Sequence, residues 1–90
     1  MERIEVLGAN GESLVYDGAT VTKFKHHGKE ESGRNPVSTF REVRITPRKR
    51  RGDAEQEHDV LLAMSAIFSL RIPDSELPEL ERMVQLLQGG

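Results

Sequence analysis

Two histidine-bearing stretches and one run of cations are where this chain could do chemistry. His26-His27 and His58-Asp59 supply imidazole and carboxylate, both common zinc ligands. Adjacent residues on an extended strand point to opposite faces, so His26 and His27 do not readily share one ion, and exposed loop histidines are the simpler reading. Arg48-Lys49-Arg50-Arg51, with Arg41 and Arg44 upstream, is the most conspicuous charge cluster. It could hold the phosphates of nucleic acid or an anionic membrane surface, giving affinity without sequence reading. The competing reading is a solvated hairpin tip, because Asp53, Glu55, Glu57 and Asp59 follow immediately. Aromatic residues for stacking on single strands are scarce, which weighs against nucleic acid. The candidate polyanion-binding residues are therefore Arg44, Arg48, Lys49, Arg50 and Arg51. Ser32-Gly33-Arg34-Asn35, with Gly28 before it, lacks the Walker spacing and the Lys-Ser/Thr pair of a phosphate loop. Ser13, Ser38, Ser65 and Ser69 sit in no nucleophile motif. The chain reads as non-catalytic, with no cofactor and no metal site.

Composition sets the frame for these groups. Ninety residues make a single domain, 1–90, near the lower end of independent folding. Only 36% of residues are apolar and 31% are charged, so the core is small and the surface heavily charged. With no Trp, one Tyr and three Phe, that core is aliphatic. The absence of Cys excludes disulfides and thiolate metal sites and fits a cytoplasmic protein. The opening Met1-Glu2-Arg3 run lacks a secretory pattern, and the longest apolar stretch is too short and too interrupted to span a bilayer.

That stretch, Asp59 to Ile72, organises the rest. Its even positions (Val60, Leu62, Met64, Ala66, Phe68, Leu70, Ile72) are all apolar, while the odd ones are mixed. Unbroken period-two alternation favours one or two strands with a well-buried face. A helix capped at Asp53 and running to about Leu70 competes, because Ala, Leu and Met favour helix and no Gly or Pro marks a turn near Ser65. Upstream, Arg3–Leu7, Ser13–Tyr16 and Ala19–Lys25 read as strands joined by turns at Asn10-Gly11 and Asp17-Gly18. His26 to Pro36 has no apolar residue before its Pro and reads as an exposed loop. Val37 to Thr46 resumes alternation with a bulge near Phe40 or Arg41, and Pro47 limits it. In Arg48 to Asp59, a hairpin tip at Gly52-Asp53 would set Arg48, Lys49 and Arg50 opposite Glu57, Gln56 and Glu55. From Ser75 to Gln88, Leu77, Leu80, Val84 and Leu87 recur at helical spacing. Asp74 or Ser75 would cap this helix, Pro78 falls in its first turn, and Gly89-Gly90 ends it.

Leu7-Gly8-Ala9-Asn10-Gly11, then Val15-Tyr16-Asp17-Gly18-Ala19-Thr20-Val21-Thr22, the Phe40–Ile45 strand and Phe68-Ser69-Leu70-Arg71-Ile72-Pro73 before a helix together resemble small bacterial pleckstrin-homology-like domains, frequent in actinobacterial proteins of uncharacterised function. The resemblance implies a bent, nearly closed antiparallel sheet plugged at one end by the C-terminal helix, and brings no catalytic residues. Ninety residues are few for a full seven-stranded barrel. The expected fold is thus α+β: a bent antiparallel sheet or partly closed barrel capped by the helix. A four-stranded sheet with two helices is the alternative. Apolar residues left off the buried faces, namely Leu61, Ile67 and Leu86, are the candidate interface. They point to a protein-interaction module that binds a protein partner or forms a homo-oligomer; binding to nucleic acid or an anionic membrane surface through the basic cluster is the second reading.

Overall fold

The computed structural model describes residues 3–89. Four strands, β1 (Ile4–Leu7), β2 (Ser13–Tyr16), β3 (Thr20–Lys25) and β4 (Glu30–Pro36), form an antiparallel meander in that order. Three more, β5 (Glu42–Pro47), β6 (Glu57–Ala63) and β7 (Ile67–Pro73), form a second antiparallel sheet, and α1 (Leu77–Gly89) follows. The architecture is α+β, a bent antiparallel sheet that does not close, capped by one helix. Ninety residues therefore suffice for seven strands, because most connections are only a few residues long.

The period-two stretch resolves into strands. β6 and β7 pair with Val60 opposite Leu70 and Leu62 opposite Phe68. Val60, Leu62, Met64, Phe68, Leu70 and Ile72 are buried, while the odd positions face outward or lie half-buried. Ala66 breaks the series; it is exposed in the turn. The competing helix over 53–70 and the two-helix fold are thereby overturned: alternation with a buried face outweighs the helical propensity of Ala, Leu and Met.

The turn at Met64–Ala66 holds without Gly or Pro because a distant residue grips it. Asn35, 3% exposed on β4, accepts from the Ser65 hydroxyl (2.7 Å) and the Ala66 N–H (3.3 Å) through Oδ1. Its Nδ2 donates to the Ala66 carbonyl at 3.2 Å. Apart from the internal bond from the Met64 N–H to the Ala66 carbonyl at 3.1 Å, the turn's polar groups are thus satisfied from outside.

Two upstream expectations need correction. Glu30–Pro36 is a strand, not a loop. Backbone pairing to β3 carries it, with a bulge between Lys23 and Phe24, and its exposed edge position tolerates the polar sequence. The turn before it sets His26 and His27 at positive φ (53° and 57°), and the His27 N–H donates to the Gly11 carbonyl at 2.8 Å. The second correction concerns Val37–Thr46. Val37–Thr39 is a 3-10 turn and the ladder begins at Glu42; the expected irregularity near Arg41 lies at its entry, where the Arg41 N–H donates at 2.9 Å to the carbonyl of Ala63, the residue paired with Glu42. β5 does end at Pro47, as a residue without an N–H dictates.

The core joins Ile4, Val6, Leu14 and Val21 of the first sheet to the inner face of the second. Leu80, Met83, Val84 and Leu87 of α1 complete it, with Leu77 partly buried beside them. Pro78 sits in the first helical turn; of the expected terminal glycine pair, Gly90 lies outside the described residues. Among the described residues neither the Asp74 nor the Ser75 side chain makes the expected cap hydrogen bond, and both residues make contacts across the fold. Asp74 Oδ1 meets His58 Nε2 at 2.9 Å, and the Ser75 N–H donates to Glu55 at 2.8 Å. Glu76 accepts from the Leu7 N–H at 2.8 Å, tying the entry of the helix to the end of β1. β1 approaches β7 so closely that a Cβ on Gly8 would lie 2.6 Å from Leu70 Cδ1 and 2.9 Å from the Arg71 carbonyl oxygen.

Candidate binding face on the second sheet

Inward use of Val43, Ile45 and the even residues of β6 and β7 leaves the alternate residues on an outer face. Register sets them in rows: Glu42, Ala63 and Ile67; then Arg44, Leu61 and Ser69; then Thr46, Asp59 and Arg71. The fourth row begins with Arg48, whose N–H donates to the Glu57 carbonyl at 2.8 Å. One end of the face is apolar and the other is cationic.

The basic cluster is a hairpin tip, turned at Gly52-Asp53. The expected facing of Arg48 and Glu57 holds for their backbones, but the Arg48 guanidinium reaches diagonally to both oxygens of Asp59 at 3.0 Å. Arg50 Nε donates to the Ala54 carbonyl at 2.8 Å, and Arg44 lies 3.4 Å from Glu42. Lys49 and Arg51 make no ion pair with the described residues. Arg48 to Arg51 are gathered around a hollow of about 280 Å³ that also includes Glu55, Glu57 and Arg71. A shallow groove of about 520 Å³ adjoins it, floored by Leu61, Thr46 and Ser69 and bounded by Asn10 and Glu12 of the β1–β2 connection. Arg44 lines this groove rather than the hollow, and Arg71 lines both.

Arg71 is the functional candidate that reasoning from the sequence passed over. It lies half-buried, its Nε is buried without a hydrogen-bond partner, and no carboxylate of the described residues pairs with it. Asp59, directly opposite on β6, is committed to Arg48. A signal existed: Arg71 is the one cation inside the apolar Val60–Ile72 stretch, at an outward position.

The interface candidates are dispersed. Ile67 is 64% exposed beside the Met64–Ala66 turn, Leu61 is half-buried in the groove, and Leu86 is 37% exposed on α1. Leu61 and Ile67 share the outer face of the sheet, whereas Leu86 belongs to a different element. Leu7, 53% exposed, joins the exposed apolar residues at the end of β1.

The histidines take separate roles. His26, at the β3–β4 turn, meets Glu30 at 3.1 Å, and His58 is buried beneath Asp74. Among the described residues no three of His, Cys, Asp and Glu converge where an ion could sit. Likewise, no helix among them is long and apolar enough to cross a membrane. Compared with protein-family models, with curated proteins and with solved structures, the chain finds no match.

Proposed function

We propose that this chain is a non-catalytic protein-interaction module that self-associates by pairing β5 with β5 of a second copy. The observation that carries the reading is the contrast among the sheet edges. β1 has its last N–H held by Glu76, and α1 packs against it. β4 is bulged and nearly devoid of apolar side chains. β7 is covered: Lys23 donates to the Ser69 carbonyl at 2.6 Å, Asn35 binds Ala66, and Gly8 abuts Arg71. Among the described strands, β5 is hydrogen-bonded to β6 alone. Antiparallel pairs alternate between bonded and non-bonded types, and Arg48 pairs with Glu57 as a bonded one. The N–H groups of Val43 and Ile45 therefore point to the unpaired side. Such an edge is a template for another strand.

Charge favours a second copy as that strand. Antiparallel pairing centred on Val43 sets Glu42 of each copy opposite Arg44 of the other, twice by symmetry. An edge contact is small, so the association is weak, with a dissociation constant on the order of micromolar to millimolar. Membership of the pleckstrin-homology-like group and a cytoplasmic setting belong to the same proposal. A bent sheet ending in a helix is in keeping with the first and the lack of cysteine with the second.

Sedimentation equilibrium tests the pairing. Wild type should dimerise with rising concentration. Glu42→Arg or Arg44→Glu alone should weaken the dimer by about 1–2 kcal/mol, the sum of cross-strand charge terms reversed in two places. The double swap E42R/R44E should restore it. A monomer at all concentrations, or a double swap no better than the single variants, would refute the reading.

A further inference from the structure

Arg71 poses a separate problem from β5 pairing. A guanidinium brings five donors and no acceptor, and burying one donor unpaired is costly. Natural proteins explain such a group by a ligand, an ordered water or a functional role. Here the group lies where two concavities meet, and the carboxylate directly opposite it across the sheet, Asp59, is already bound by Arg48. Five cationic side chains face two carboxylates in the hollow, and one of the two, Glu55, is engaged by the Ser75 N–H.

The geometry points to an acidic peptide segment of a partner protein as the occupant, with a glutamate or aspartate carboxylate on Arg71 and a neighbouring apolar side chain on Leu61. Nε itself is enclosed, so the carboxylate meets the two Nη groups at the end of the planar fork in bidentate fashion, and partial burial strengthens the pair. The hollow of about 280 Å³ has room for one such side chain. The adjoining groove offers the apolar surface of Leu61, with the Thr46 and Ser69 hydroxyls beside it and free of side-chain hydrogen bonds within the described protein. A chain laid across Arg71 engages both at once. A nucleic-acid backbone fits less well. Glu55 and Glu57 interrupt the cationic surface, and no aromatic side chain lines either concavity for base stacking.

Fluorescence anisotropy with a labelled oligo-glutamate peptide carrying one leucine tests the assignment. Its glutamine counterpart, inorganic phosphate and a mixed-sequence DNA duplex serve as comparators. The glutamate peptide should bind at least about tenfold more tightly than the glutamine one. Arg71→Lys keeps the charge but loses the fork, and should weaken binding about tenfold, whereas Arg51→Lys should change it little. Leu61→Ser should weaken the leucine-bearing peptide but not a leucine-free one. Arg71→Met removes the orphaned donor and should leave the thermal midpoint unchanged or raised, which separates lost binding from lost folding. Equal binding by wild type and Arg71→Lys would overturn the proposal. So would preferential binding of the duplex or of phosphate, which would make the surface a general polyanion site.

Discussion

The β2–β3 turn and the β6–β7 turn do the same job by opposite means. In the first, Asp17 Oδ1 accepts from the N–H groups of Ala19 (2.9 Å) and Thr20 (2.8 Å), and Gly18 takes the positive φ of 94°. Everything the turn needs lies within four residues. In the second, Met64-Ser65-Ala66 contains no turn-forming residue of that kind; beyond one internal bond from the Met64 N–H to the Ala66 carbonyl, its polar groups are satisfied by Asn35, some thirty residues earlier. The first turn is autonomous. The second exists only in the company of β4, so it is a tertiary contact in the form of a turn.

The largest expected effect breaks the second turn from a distance. Asn35→Ala removes three hydrogen bonds from a buried side chain and should cost about 2–3 kcal/mol, read as a lower denaturant midpoint. If the loss were no greater than for an exposed polar substitution, the borrowed character of this turn would be disproved. Gly8→Ala comes next. It forces a methyl group against Leu70 and the Arg71 carbonyl and should cost about 1–3 kcal/mol, because backbone on one side limits relief. Ser65→Ala follows at about 1 kcal/mol, since it deletes one of the three bonds and spares the two backbone ones.

Asp17→Ala should be the mildest, with its loss confined to the β2–β3 end and detectable as faster amide exchange at Ala19 and Thr20. The same carboxylate gives a pH signature. Hydrogen bonds from the Thr20 N–H, then the Ala19 N–H, hold its pKa below the ordinary value, assisted by the Thr20 hydroxyl and by Arg34. The folded state thus binds its proton less readily than the unfolded chain. Its stabilising contribution is full above the ordinary carboxylate range of about 4 and fades as pH falls through the lower folded value. Asp17→Asn should flatten the acid limb of a stability–pH curve; an unchanged limb would count against the capping role.

What was legible in the sequence follows the same division. β1, β2 and β3 carry their alternation and their Asn-Gly and Asp-Gly turns in adjacent residues, and they stand where that pattern puts them. The helix over Leu77–Gly89 declares itself through Leu80, Val84 and Leu87. β4 was hidden because an exposed edge strand needs only backbone partners, and Glu30–Pro36 has no apolar face to advertise. Asp74, which the local sequence offers as the helix cap, instead meets His58 on β6, a partner that no local pattern announces. At the candidate site the run Arg48–Arg51 is visible to any reader of the chain. Its convergence with Arg71 depends on the β5–β6–β7 register, which no local pattern encodes. Leu86 stood out only by its phase on the helix, and phase alone does not say which neighbour it meets.

The Asn35 clamp also orders events in time. A hairpin whose turn is satisfied from β4 has little reason to persist while the first sheet is unformed, so the β1–β4 meander is expected to assemble before β6 and β7 settle. Closing that contact spans about a third of the chain and carries the loop-closure cost of a non-local pairing. If docking of β4 is part of the rate-limiting step, Asn35→Ala will slow refolding and leave unfolding almost unaltered. Asp17→Ala would then separate early, local hairpin formation from that later step.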